Sequence, residues 1–181
     1  MTKIHNWILL VLGVVFFSSC MSIPIETVYI PNSPSGWKVG HANDVPGKGS
    51  ITEFVRESEN IQNWTQLVTI QFLEKHYIDA RVFMAGLQQT MRNRCPDVDW
   101  KVLEETVTDV LYEWSVSDCS EAQTQHEIAR LLEGNEGLHR VAYTEKSSEI
   151  DSAVRMQWID LLKSAYVEKD EQRVVVNEVQ P

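Results

Sequence analysis

The chain has few of the residues from which common active sites are assembled. It has three cysteines in 181 residues, too few for a disulfide-built scaffold. It contains no HExxH and no paired CxxC, so zinc has no motif to bind, and no calcium-loop spacing of acidic residues. GxSxG, P-loop and GxGxxG sequences are also absent, which removes the common nucleophile elbow and the phosphate cradles. Positive charge is scarce: 16 Lys+Arg face 26 Asp+Glu, a net charge of −10, a poor basis for contacting nucleic-acid phosphates. No cofactor, no metal and no nucleic-acid partner is expected. No apolar run is long enough to span a bilayer, which takes about 20 residues.

The longest such run, Trp7–Phe17 (WILLVLGVVFF), has 11 residues and follows Lys3, the arrangement of a secretory signal. It ends in Phe17-Ser18-Ser19-Cys20. This segment resembles the bacterial lipobox, with Phe17 where Leu, Val or Ile is usual. The resemblance implies removal of residues 1–19 and a lipid on Cys20. Met21 in place of Asp implies sorting to the outer membrane, facing the periplasm. Acyl chains on one cysteine hold a protein to a bilayer at ~0.8 kcal/mol per buried methylene. The membrane is then the first partner, reached through Cys20.

If Cys20 carries lipid, Cys95 and Cys119 remain as a pair in an oxidising compartment, closing a loop of about 25 residues worth roughly 3 kcal/mol. The alternative is a nucleophilic Cys95 or Cys119 with His126 or His139 as base.

Residues 20–35 hold three of the six prolines and show no period, so they read as an extended tether. The domain is expected over 36–167. Strands are predicted at 36–41, 51–56 and 65–73. Asp79 caps a helix to about Arg94, whose apolar stripe includes Phe83, Met84, Leu87 and Cys95. Asp97–Lys101 reads as a short connection ended by a half-exposed strand over 106–116. A hairpin follows over 125–132 and 138–146. The clearest period lies in residues 149–166, a helix with Ser148 and Asp151 as a capping box. Residues 168–181 read as a charged tail, with Val174–Val179 as a possible terminal strand. The expectation is an α+β domain: an antiparallel sheet of about six strands in the order βββαβββα, with two helices packed on it. Gly36-Trp37, Glu59–Thr65 and Glu127-Ile128 with Gly134 downstream resemble a group of bacterial envelope proteins over most of residues 36–146. The architecture is also similar to the PsbP-type αβα sandwich. Neither resemblance brings a catalytic residue.

Residues 97–121 carry eight acids against Lys101, a local charge of −7. On this stretch Glu104, Glu105, Asp109 and Glu113 form a solvated acidic face or a contact for a basic partner. Trp100 beside them is the candidate exposed anchor, since Trp is enriched at interface hot spots. Asn63-Trp64-Thr65 has the glycosylation pattern, but Trp64 reads as a core anchor. His126 and His139 on neighbouring strands could make a cross-strand metal or acid/base site, or be surface positions. The function expected is a non-enzymatic structural or interaction component of a cell-envelope assembly, a secretion assembly being one version, with an envelope protein as partner. The alternative is a periplasmic carrier whose small-molecule or lipid pocket lies between sheet and helices.

Overall fold

Period-two patterning in the sequence becomes an antiparallel sheet, and the two 3.6-period segments become helices on its opposite faces. A computed structural model describes residues 26–74, 79–117 and 119–169. The signal segment 1–19, Cys20 and the tail from 170 with Val174–Val179 lie outside the described residues. Within them the order is β1 (Glu26–Tyr29), β2 (Trp37–Val45), β3 (Gly49–Arg56), β4 (Gln66–Glu74), α1 (Ala80–Arg94) and β5 (Asp99–Glu105). There follow β6 (Asp109–Val116), β7 (Gln125–Glu133), β8 (Gly137–Glu145), α2 (Ser152–Ser164) and β9 (Tyr166–Lys169). Strands β2-β3-β4-β8-β7-β6-β5 form one sheet of seven, every pair antiparallel, and β1 pairs with β9 in a second sheet. The α+β class, the antiparallel sheet and the two helices are as expected. The strand count is higher.

Each helix covers its own face. Ala80 and Met84 of α1 pack with Val110, Tyr112, Trp114, Ala129 and Leu131. Trp158 and Leu162 of α2 pack with Leu111, Ile128, Leu132, Val141 and Tyr143, together with Val28 of β1. Alternate residues of β6–β8 therefore belong to two cores, and β6 is buried on both faces rather than half exposed. Period-two polarity misleads there because Glu113 is itself buried.

Local chemistry sets the helix ends. Asp79 caps α1, accepting from the Arg81 amide at 2.8 Å, and Pro96 forbids continuation beyond Cys95. The cap of α2 is Asp151, which accepts from the Ala153 and Val154 amides, so the expected Ser148 box is corrected by three residues. At its other end Arg130 donates to the carbonyls of Leu162, Lys163 and Ala165, stopping the helix before residue 166.

Three strands were hidden in the sequence: β5, β1 and β9, the last lying where the end of the helix 149–166 and the start of the charged tail are expected. β5 occupies what reads as a connection, because Lys101, Glu104 and Glu105 obscure the alternation and a bulge interrupts it between Val102 and Glu104. Charges and a bulge are how edge strands avoid pairing with other chains. β1 falls inside the expected tether 20–35: four residues amid prolines show too little period, yet Glu26 and Val28 are buried and Thr27 and Tyr29 face outward. The folded body therefore starts by Glu26, not near Gly36, and extends through β9 to Lys169. Trp64 is half-buried, with Lys146 Nζ 4.4 Å over its ring, so it is a rim residue rather than a core anchor.

Candidate functional site

The acidic stretch does not form one free face. Each carboxylate on it that projects toward a helix or neighbouring strand meets a cation supplied from elsewhere in the chain. Glu113 is buried and receives a two-pronged contact from Arg155 on the first turns of α2, Nε at 2.7 Å and Nη2 at 2.9 Å. Lys101 Nζ lies 4.0 Å and His126 Nε2 3.7 Å from the same carboxylate. Asp109 faces Arg130 at 3.4 Å, Glu104 faces Lys163 at 2.6 Å and Glu105 faces Arg81 at 3.9 Å. Hydrogen bonding to Lys163 and its charge hold the Glu104 carboxyl below its ordinary pKa. Glu104 and Glu105 stay exposed beside Lys163 and Arg81, as a solvated acidic face requires, whereas Glu113 is buried against Arg155, which corrects its place on that face.

Trp100 is half-buried, stacked on Tyr112 with ring centres 5.0 Å apart and 7° between planes, and on Trp114 at 6.4 Å. Its indole nitrogen is buried and finds no acceptor among the described residues. It is an edge-strand extension of the α1-side core, not an exposed anchor.

Beneath it lies a polar network on the α1 face. Glu127 accepts from Trp114 Nε1 at 2.9 Å, Arg140 Nη2 at 2.5 Å and Thr144 Oγ1 at 3.2 Å, and Arg140 Nε donates to the Tyr112 hydroxyl. Burial pushes Tyr112 up to about 12. Ionisable groups paired this completely fix β6, β7 and β8 in register, and leave no free base.

The histidines do not meet. His126 pairs in register with Glu145 at one end of the β7–β8 hairpin, whereas His139 pairs with Leu132 at the other. Six residues of strand separate His126 from Leu132, about 20 Å at ~3.3 Å each. His126 also lies on the opposite face from Glu127, so the cross-strand site is corrected, and no group of three metal-binding side chains occurs among the described residues. Burial depresses the pKa of both histidines, against the raising influence of Glu113 on His126 and of Glu26 on His139. Cys95 and Cys119 are joined in a disulfide with Cα atoms 5.7 Å apart, so neither supplies a nucleophilic thiolate.

Sequence reasoning missed one feature and placed another only coarsely, between sheet and helices. The first is Glu26. Its buried carboxylate accepts from the Asn135 and Glu136 amides at 2.8 and 3.0 Å, and His139 Nε2 stands 3.5 Å away, stacked on Phe72. Burial alone would raise its pKa, but the two amides and His139 outweigh burial and hold it low. A Cβ at Gly134 would crowd Glu26 Oε2, so any side chain there would have to displace that carboxylate. The turn signal Glu133–Gly137 was visible, but its partner is 109 residues away.

The second is an apolar groove of about 160 Å³ on the α2 face, walled by Ile30, Pro34, Trp37, Phe54, Ile70 and Trp158. Trp37 meets Trp158 edge-on at 6.0 Å, and Tyr143 stacks on Trp158 at 4.2 Å. Arg56 covers Trp37 at 4.2 Å. Such walls suit an aliphatic or aromatic group, in a volume smaller than the roughly 300 Å³ at which drug-sized sites begin. Among the described residues no helix is long and apolar enough to cross a membrane. Comparison of the chain with protein-family models, with curated proteins and with solved structures returns no match.

Proposed function

We propose that the chain is a lipid-anchored domain of the bacterial outer membrane, held on its periplasmic side through Cys20, which works by binding another envelope protein rather than by catalysis. The observation that carries this reading is the Cys95–Cys119 disulfide. It takes up both cysteines of the folded body and leaves Cys20, at the end of the signal run, as the odd one. It also suits an oxidising compartment, where disulfides persist. The binding role is supported by the state of the ionisable groups, since Glu113, Glu127 and Glu26 are each engaged by two or more donors or cations. Growth with a labelled fatty acid should mark the wild-type protein and leave Cys20→Ser unmarked. Crosslinked, detergent-solubilised envelopes should yield it in a species heavier than the monomer. An isolated monomer, or label retained by Cys20→Ser, would overturn the reading.

A second reading, a carrier of a small apolar ligand, is favoured by the groove at Trp37 and Trp158. It requires a rise in melting temperature or a change in tryptophan fluorescence with added short-chain fatty acids, and a flat response removes it.

A further inference from the structure

The seven-stranded sheet has two distinct ends. At one, the Gly47 amide donates to Glu74 Oε2 at 2.8 Å, the Glu133 amide to the Thr108 carbonyl at 2.9 Å, and the Ala80 amide to Glu133 Oε1 at 2.7 Å. These bonds gather the β2–β3, β5–β6 and β7–β8 turns and the start of α1. Glu74 of β4 pairs with Gly137 of β8, so the turns share one level. Glu26 is fixed to this same end by the amides of Asn135 and Glu136. The opposite end carries the β3–β4 connection, bonded to the β8–α2 connection through the Lys146 amide and the Thr65 carbonyl at 2.9 Å, and the Cys95–Cys119 bridge.

We infer that the end bearing Glu26 and the β7–β8 turn faces the bilayer, and that the end bearing the disulfide and Trp64 faces away from it. The inference rests on the lipid-anchor reading of Cys20 and adds an orientation to it. Six peptide steps separate Cys20 from Glu26, and a fully extended chain covers at most ~3.3–3.6 Å per residue, so the leash reaches about 20 Å. Strand β8 alone has nine residues and, at ~3.3 Å each, a length of about 30 Å. A leash shorter than the sheet, attached at one end, does not allow the domain to stand inverted on the membrane. Had the chain been free to residue 35, as the prolines suggest, the reach would be about 50 Å and orientation would be lost.

Surface chemistry at the near end supports covalent rather than adhesive contact. Among the described side chains Glu74, Glu133, Glu136 and Asp79 lie there against Lys48 and Arg81, and Arg81 is already bound to Asp79 at 2.5 Å. The described charges at this end are net acidic, which favours attachment through the lipid over attraction to anionic headgroups.

The experiment uses the full lipid-bearing chain in vesicles of phosphatidylethanolamine and phosphatidylglycerol with acceptor-labelled headgroups. Donor dyes are placed on Asn135→Cys or on Gln62→Cys, the disulfide remaining oxidised. Energy transfer from position 135 should be at least about twice that from position 62, because the second position is farther by about the length of β8. Equal or reversed transfer in a chain that sediments with the vesicles overturns the orientation alone. A chain that does not sediment with them overturns the anchor reading and the orientation with it. Unlipidated Cys20→Ser protein should stay in solution at low salt; binding by that variant would show an adhesive surface and also overturn the proposal.

Discussion

Glu26→Ala tests whether the first strand is held by a single carboxylate. Hydrogen bonds to a charged group contribute roughly 1.5–3 kcal/mol each, and Glu26 makes two, to Asn135 and Glu136. Residue 135 is exposed, so water replaces part of that loss, leaving about 2–3 kcal/mol. If β1 then detaches, Val28 loses its burial against α2, a further ~1.5 kcal/mol. The expected destabilisation is therefore about 3.5–4.5 kcal/mol, a large part of the roughly 5–15 kcal/mol typical of a domain. Glu26→Gln keeps an acceptor without the charge and should cost about half as much. Urea unfolding at pH 7 measures both, and hydrogen exchange reports directly on the Asn135 and Glu136 amides. The native pKa of Glu26 lies below its usual value near 4.5, so its contribution is complete above that value and lost as pH falls through the native pKa. The gap between wild type and Glu26→Ala should narrow accordingly in acid. An alanine variant within ~0.5 kcal/mol of wild type, with both amides as protected as before, would refute the latch.

Other expectations concern groups elsewhere in the fold. Arg155→Ala should cost about 3 kcal/mol in urea melts, because it leaves Glu113 buried with only Lys101 and His126 nearby; the double variant with Glu113→Gln should recover most of that loss, and additive losses would refute the pairing. Reducing the bridge between Cys95 and Cys119, separated by 24 residues, should lower stability by about 3 kcal/mol, read as a shift in urea midpoint with and without reductant. His126 and His139 both have native pKa values depressed by burial, so the unfolded chain binds more protons and stability should fall as pH drops below about 6.5. The slope is at most ~1.4 kcal/mol per pH unit for each histidine. His139→Phe, which retains the stack on Phe72, should flatten melting temperature against pH; an unchanged slope would rule out its part.

The elements with long, unbroken periods were legible in the sequence. Strand β4, the β7–β8 hairpin and both helices fall within a few residues of their predicted places, since Val68, Ile70 and Phe72, or Val154, Trp158 and Leu162, repeat at the spacing their structures demand. Cys95 follows α1 directly, within bonding reach of Cys119, as the cysteine count suggested. What failed was inference of burial from polarity. Glu113 and Glu127 look like solvent positions on alternating strands, but each is buried with a cation that arrives from 42 or 13 residues away. No local window contains Arg155 when it contains Glu113. Trp100 was misplaced for the related reason that β5 carries four charged residues among seven and so resembles a loop.

The same failure of local polarity hid the feature that most constrains how the domain can act. A glutamate between Ile25 and Thr27, two residues after Pro24, gives no sign of being a strand start, because its pairing partners lie in β9 and its hydrogen-bond donors in a hairpin turn. On the lipid-anchor reading proposed above, fixing Glu26 there shrinks the stretch between lipid and fold from about fifteen residues to five. A long tether would let a domain search a wide shell for its partner, with an effective concentration that falls as the reach grows. With Cys20 lipidated as proposed, a short one, attached at one end of a rigid sheet, gives up that search volume and bounds the height of the far end at roughly 20 Å of leash plus 30 Å of strand above the bilayer. A partner suited to this chain is then one whose own contact surface stands at that height, and lengthening the leash by inserting glycine-serine residues between Cys20 and Glu26 should weaken the complex without touching the folded surface. Retention of full complex yield in crosslinked envelopes after such an insertion would show that height plays no part.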